Sequence, residues 1–396
     1  MAKIGAPKIT ITFKTKSISA IERSMRGVVM MILKNEPTDT TNYFKVGDVT
    51  DIPDAGLTDG NIDLIKKCLL GTPNKVLVYT IPTDDVADAV NTQSKILAQV
   101  ANIKFNYICA PTGSAQDQED LASWIKTQRN VKDKTFKAVV ANTEADDKGV
   151  INFCTGDIKV LNPNYTASES DTSTVAVGTF NVGDTVVGGE EEFLTYTATQ
   201  YTARIAGILA GLPLDRACTY YQLNEVVSCE KYEDVDAEVD QGHLILFDEE
   251  DDEGVKIVRG VNSLTTFTTD VGQDFRYIKI VEAIDMIHDD IKDTFKSDYV
   301  GKVINDYDHK MAFINAVLIY FDGLKGNVLD ASPSVVNTVD IDENAQINYI
   351  KLHNLDDPSK LTTQQIREYN TGTNVFLTGR ITPVNAMEDL TINFLM

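Results

Sequence analysis

Between residues 27 and 142, short apolar runs alternate with amphipathic stretches, and this alternation restricts the fold more than any other feature of the chain. GVVMMILK (27–34), KVLVYTI (75–81), FNYICA (105–110) and TFKAVVAN (135–142) are apolar at nearly every position. Such runs suit strands buried on both faces, which is how a parallel sheet covered by helices reads. The intervening stretches are predicted helices. NIDLIKKCLL (61–70) ends at Gly71, residues 84–101 present Val86, Val90, Ile96, Leu97 and Val100 on one face, and residues 115–129 carry Leu121, Trp124 and Ile125. Residues 21–160 therefore read as an α/β domain.

The pattern then changes. Residues 161–197 are rich in Ser, Thr and Gly and read as a surface excursion with short β-like pieces such as TFNV (179–182). Residues 198–212 are a predicted helix with Ile205, Ile208 and Leu209 inward, small residues at Gly207, Ala210 and Gly211 that permit close approach, and Pro213 as its stop. HLILF (243–247) and VKIVRGV (255–261) flank the acidic turn DEEDDEG (248–254) as a β-hairpin. Helical periodicity is strongest at 274–295, where Ile278, Val281, Ile284, Ile287, Ile291 and Phe295 recur every three or four residues. Lys279, Glu282, Asp285, Asp289 and Lys292 fill the opposite face, where solvent accounts for Asp285, Asp289 and Asp290. A second helix is expected at 306–323, and β-like sequence follows in NTVDIDE (337–343), INYIKLH (347–353), NVFLTGRITPV (374–384) and LTINFLM (390–396). Residues 198–388 thus form an expected α+β domain.

Both ends are strand-like. In KITITFKTK (8–16), Ile9, Ile11 and Phe13 alternate with Thr10, Thr12 and Lys14. In DLTINFLM (389–396), Leu390, Ile392 and Phe394 share one face. A terminal strand either joins its own sheet or adds to the edge of another chain.

Charge narrows the function classes. A formal net charge of −23 argues against nucleic-acid binding and against docking on anionic lipid. The charge is uneven: residues 1–34 hold seven bases against Glu22 alone, a net of +6, whereas residues 230–254 hold twelve acids against Lys231, a net of −11. Cys68, Cys109, Cys154, Cys218 and Cys229 include no C-x-x-C pair and read as small hydrophobes of a reducing compartment. Residues 27–33 lack the cleavage site of a signal peptide, and no run approaches the ~20 apolar residues of a membrane span. Folding in a cytoplasm is expected.

Catalytic signatures are missing from the sequence. No G-x-S-x-G, G-x-G-x-x-G or G-x-x-x-x-G-K-[ST] motif occurs, and His243, His288, His309 and His353 have no partner at zinc-ligand spacing. The acidic turn lacks the alternating ligands and distal Glu of an EF-hand and reads as an exposed tip. No catalytic, cofactor-binding or metal residue is nominated, and no cofactor is expected.

The second half resembles the tail sheath proteins of contractile injection systems, in particular the compact sheaths of myophages and of R-type bacteriocin-like particles of Gram-positive bacteria. The resemblance is carried by RIAGILAGLPLDRACTY (204–220), VKIVRGVNSLTTF (255–267), IKIVEAIDMIHDDI (278–291), YVGKVINDYDHKMAFINAVLIYFDGLKGNVL (299–329) and NVFLTGRITPVNAMEDLTINFLM (374–396), in the family's order. It implies a tail-sheath-like fold: an N-terminal β arm (1–20), the α/β domain, the β-rich excursion, an α+β core domain and a C-terminal β arm (389–396). It implies a structural, non-enzymatic subunit that wraps a tail tube helically in a metastable extended state and drives the tube through a target envelope on contraction. Implied partners are copies of itself, the tail tube protein, and baseplate and tail terminator proteins, with no nucleic acid and no membrane. The implied setting is assembly in a bacterial cytoplasm and release on lysis as part of a phage tail or tail-like particle.

The resemblance further implies that the arms, through Ile9, Ile11, Phe13, Lys14, Lys16, Leu390, Ile392 and Phe394, join neighbouring subunits by strand addition. Lys360 and Arg367, beside a short polar helix at 362–369, are candidate tube contacts. Roughly six backbone hydrogen bonds contribute ~3–9 kcal/mol, and burial of three apolar side chains contributes ~5–9 kcal/mol. Ordering nine arm residues costs ~9–18 kcal/mol, so the arm is expected to order only on assembly. Other readings are a different self-assembling shell or surface-layer protein, and an α/β enzyme with an accessory domain. Electron microscopy of the purified protein separates them.

Overall fold

The computed structural model describes residues 26–35, 42–53, 55–83, 93–162, 178–179, 192–249 and 254–395. They divide into two compact bodies, 26–289 with 383–395, and 290–382. The N-terminal arm, residues 84–92 of the second expected helix, most of the 161–197 excursion and the acidic tip at 250–253 lie outside the described residues.

The first body contains β1 (Val28–Lys34), β2 (Asn42–Val46), α1 (Asp59–Leu69), β3 (Lys75–Ile81), α2 (Gln93–Val100), β4 (Tyr107–Cys109), α3 (Ala115–Asn130), β5 (Lys137–Ala141) and β6 (Val150–Phe153). It continues with β7 (Ile158–Leu161), β8 (Gly178–Thr179), β9 (Phe193–Tyr196), α4 (Ala198–Gly211), β10 (Val226–Ser228), α5 (Val235–Asp240), β11 (His243–Leu244), β12 (Leu246–Phe247) and β13 (Lys256–Ile257). The principal sheet has seven described strands in the order β11-β6-β5-β4-β1-β3-β2, parallel except at the β2–β3 edge. Continuous apolarity has the expected cause. Val29, Met31 and Leu33 enter the core under α1 and α4, while Val28, Met30 and Ile32 enter the core under α2 and α3.

Three glycines bring α1 and α4 into backbone contact. A Cβ on Gly207 would lie 2.0 Å from the Cys68 carbonyl oxygen, and one on Gly211 would lie 1.8 Å from that of Gly71. The small residues noted in 207–211 are therefore a packing requirement that positions α4 on the sheet. α4 and β11 are built into the first body, and the division between bodies falls at 289/290 and 382/383. A second sheet, β10-β7-β9-β8, includes the described part of the excursion, and β12 pairs antiparallel with β13 as the expected hairpin.

The chain then enters α6 (Ile278–Thr294), whose last residues count with the second body. A π-helical turn at Phe295–Tyr299 follows, then α7 (Tyr307–Leu324), β14 (Thr338–Ile341), α8 (Glu343–Leu352), α9 (Thr363–Glu368) and β15 (Leu377–Arg380). Phe313, Ile314, Val317, Phe321, Leu324, Ile341, Ile350 and Ile366 form the interior of this body, and β14 pairs antiparallel with β15.

One β-like expectation is corrected. INYIKLH lies in helix α8, because the Asp342 side chain accepts from the Ala345 N–H as an N-cap and Gln346 and Ile350 then face inward one turn apart. LTINFLM forms no strand among its described residues, and its apolar side chains stand in solvent without a ladder partner there.

Candidate functional site

The arm residues Ile9, Ile11, Phe13, Lys14 and Lys16 lie outside the described residues, but the root of that arm does not. Arg26 lies two residues before β1, and its guanidinium pairs with the Glu282 carboxylate of α6. The Tyr107 hydroxyl donates to the same carboxylate at 2.6 Å, and the Lys137 Nζ lies 3.0 Å from it. Lys137 also donates to Asp285 at 2.9 Å, and Arg129 forks onto both Asp285 oxygens at 2.9 Å each. One turn on, Asp289 accepts from the Thr135 hydroxyl at 2.7 Å, and His288 lies 3.2 Å from both Asp133 and Asp289.

These groups gather at the amino ends of β1, β4 and β5. Open α/β sheets place ligands at the carboxyl ends of their strands, so the cluster sits where structural clamping rather than catalysis is expected. Its electrostatics fit that role. Burial alone would raise the Asp285 carboxyl, but Lys137 and Arg129 overcome it and hold it below its ordinary value. The same burial lowers Lys137 to about 8, because Asp285 restores only part of what desolvation and the nearby Arg129 and Arg26 remove. Three cations share two carboxylates.

The expectation of a solvated face is thereby corrected: Asp285 is 6% exposed and Asp290 0%. Asp290 accepts from the Tyr320 hydroxyl at 2.6 Å. The sequence signal that could have found the network was a lysine opening the otherwise apolar strand KAVVA.

The C-terminal segment is pinned at its root. The Lys279 Nζ donates to the Val384 carbonyl at 3.0 Å, the Thr219 hydroxyl donates to Glu388 at 2.7 Å, and Arg259 pairs with Asp389 at 2.5 Å and with Glu388 at 3.5 Å. Beyond this latch Leu390 is 84% exposed, Ile392 57% and Phe394 86%.

Arg367 is not an available cation. Its guanidinium forks onto Asp340 at 2.6 and 3.0 Å and reaches Glu343 at 3.2 Å, tying α9 to β14 and α8. Lys360 remains exposed, with Asp357 at 3.4 Å. Among the described residues no group of three or more His, Cys, Asp or Glu gathers to hold a metal, and no helix is long and apolar enough to cross a membrane. The cysteines are free, and burial pushes the Cys68 and Cys218 thiols up to about 12.

Residues 270–396 match the family described as "Phage tail sheath C-terminal domain". A tail sheath protein of Clostridium phage phiCD119 is 34% identical, with 99% of each chain covered. Among solved structures, a sheath tail protein from Desulfitobacterium hafniense superposes with a TM-score of 0.62 at 18% identity, covering 84% of this chain and 93% of that one. The contracted helical sheath of the anti-feeding prophage gives a TM-score of 0.65 at 12% identity, with 99% of each chain covered. The fold is that of sheath subunits, and the protein is a structural component of a tail sheath. Kinship over its whole length establishes that this chain belongs to the phage tail sheath protein family.

Proposed function

We propose that copies of this chain wrap a tail tube as a helical sleeve, store free energy in a metastable extended state, and drive the tube through a target envelope on contraction. Full-length kinship to a tail sheath protein carries this reading. In it, the terminal arms cross to neighbouring copies by strand addition. Head-to-tail exchange of this kind is a heterologous contact, which propagates as an open helix when its rotation does not close. Two features support it: an exposed apolar C-terminal segment anchored only at its root, and the exposed two-stranded β14–β15 sheet, whose outer edges have no ladder partner among the described residues.

Energy stored at assembly needs no bound nucleotide, since a kinetically trapped state releases it on triggering. Contacts to the tube must be released, so they are weak and polar; Lys360 is the remaining candidate for one. A baseplate below and a terminator above complete the partner set, and assembly takes place in the bacterial cytoplasm before release on lysis.

Electron microscopy of the purified protein tests the reading. Hollow ribbed sleeves are expected from the intact chain, and soluble unassembled subunits from a chain lacking residues 1–16. Flat lattices, or normal sleeves from the truncated chain, would refute it.

A further inference from the structure

We infer that a cavity in the first body, at the amino ends of β1 and β4, binds a small organic dianion: a phosphate monoester on a short apolar body. The cavity encloses about 370 Å³, the size of a small-molecule site and more than a bare phosphate fills. Arg26 and Gly27 line it ahead of β1, and Asn106 and Tyr107 line it at the start of β4. The carboxyl end of α4 with the loop to Cys218, and the first turns of α6, complete the wall among the described residues. α6 brings its amino end and α4 its carboxyl end, so the two helix dipoles oppose one another and side chains set the sign of the cavity.

That sign is positive. Arg26, Arg216 and Lys279 line the cavity with Glu282 as the one carboxylate among the described residues, a net of +2 in a chain of −23. Glu282 is already taken by Arg26, the Tyr107 hydroxyl and the Lys137 ammonium. The Arg216 guanidinium lies over the Tyr221 ring at 5.5 Å, and the Lys279 Nζ donates to the Val384 carbonyl at 3.0 Å. Neither cation has a carboxylate at ion-pair distance among the described residues. Burial lowers Lys279 below its ordinary value, and Asp215 and Glu388, acting from farther away, return only part of the loss. Two charges thus remain unmatched beside an apolar wall that includes Leu212, Pro213, Leu214 and Ile278. A dianion balances them. Phosphate oxygens suit the fork of a guanidinium, and the apolar wall takes the attached carbon body.

The test is titration calorimetry of dilute full-length protein with phenyl phosphate, at low salt and about pH 8, where the monoester is a dianion. Saturable binding at one site per chain is expected. Arg216→Gln and Lys279→Gln should each weaken it about tenfold, the worth of one charge-assisted hydrogen bond. Arg216 is exposed and Lys279 half-buried, so both variants should retain the wild-type circular dichroism. Lys132→Gln, at an exposed lysine outside the cavity wall, should leave the affinity unchanged. Inorganic phosphate, which lacks the carbon body, and benzoate, which carries one charge, should each bind about tenfold more weakly than phenyl phosphate. Phenyl phosphate itself should weaken at about pH 5, where it takes up its second proton. No binding at ~10 mM, equal affinity for wild type and both charge variants, an equal loss in Lys132→Gln, or benzoate matching phenyl phosphate would overturn the inference.

Discussion

Lys137→Met should stabilise the first body at neutral pH, although it deletes an ammonium placed between two carboxylates. Their contact favours the charged form of both, but the balance differs: for Asp285 two cations outweigh burial, whereas for Lys137 burial, with Arg129 and Arg26 nearby, outweighs what Asp285 returns. The folded-state value of about 8 lies below the 10.5 of a free lysine. That lowering corresponds to a penalty of ~3 kcal/mol. The sign follows from proton binding. Between pH 8 and 10.5 the unfolded chain keeps a proton that the folded chain has released, so stability rises with pH across that window; below 8 the full penalty is present. Methionine fills similar space without charge, leaving Arg26 with Glu282 and Arg129 with Asp285. After loss of the lysine's own hydrogen bonds, a net gain of ~1–3 kcal/mol is expected at pH 7. Asp285→Asn should do the reverse, stripping the forked partner from Arg129 and costing ~3–5 kcal/mol. Urea titration of dilute full-length protein, followed by fluorescence, reads both. Trp124 is the only tryptophan and stacks in the same body with Phe105 and Phe136 at 6.4 and 6.2 Å. A loss above ~1 kcal/mol for Lys137→Met, or wild-type stability flat from pH 8 to 10, would refute the reasoning.

Other outcomes are equally specific. Gly207→Ala should destabilise by ~3 kcal/mol or more, since its Cβ would meet the Cys68 carbonyl oxygen and neither helix backbone can yield cheaply; a thermal melt matching wild type would refute this. Asp146 accepts from the Thr265 and Thr266 N–H groups at 2.7 and 3.0 Å, and these bonds outweigh its partial burial and lower it to about 2. Its contribution is present above the ordinary carboxylate range and lost as pH falls through about 2. Because the site is mostly exposed, Asp146→Ala should cost only ~1 kcal/mol, with faster amide exchange confined to the 265–266 turn. Sleeve assembly should weaken as salt rises from about 0.01 M to about 1 M, over which the Debye length falls from ~30 Å to ~3 Å. Assembly indifferent to salt would leave the sheath assignment standing but remove complementarity between the +6 arm and the acidic remainder as its driving force.

Local sequence determined the parts of this protein whose cause is local. Val28–Lys34 and Lys75–Ile81 announce buried parallel strands because every side chain must suit an apolar face, and that requirement is written residue by residue. Ile278 through Ile287 announce α6 by period, and the ordered motifs from 204 to 396 announced the family without coordinates. Where a local preference competed with a tertiary one, the reading failed. Ile347, Tyr349 and Ile350 favour strand taken alone, yet the Asp342 cap and the inward faces of Gln346 and Ile350 make them helix. Asp285 sits on the polar side of a helical wheel, and nothing within α6 says that Lys137, 148 residues away, will be buried against that side. Arg367 looks like a free surface cation until β14 brings Asp340 from 27 positions upstream. Period and propensity act over a few residues and can be read from one stretch of chain. The burial and pairing of a charge depend on which distant element packs over it, and only the tertiary structure decided that.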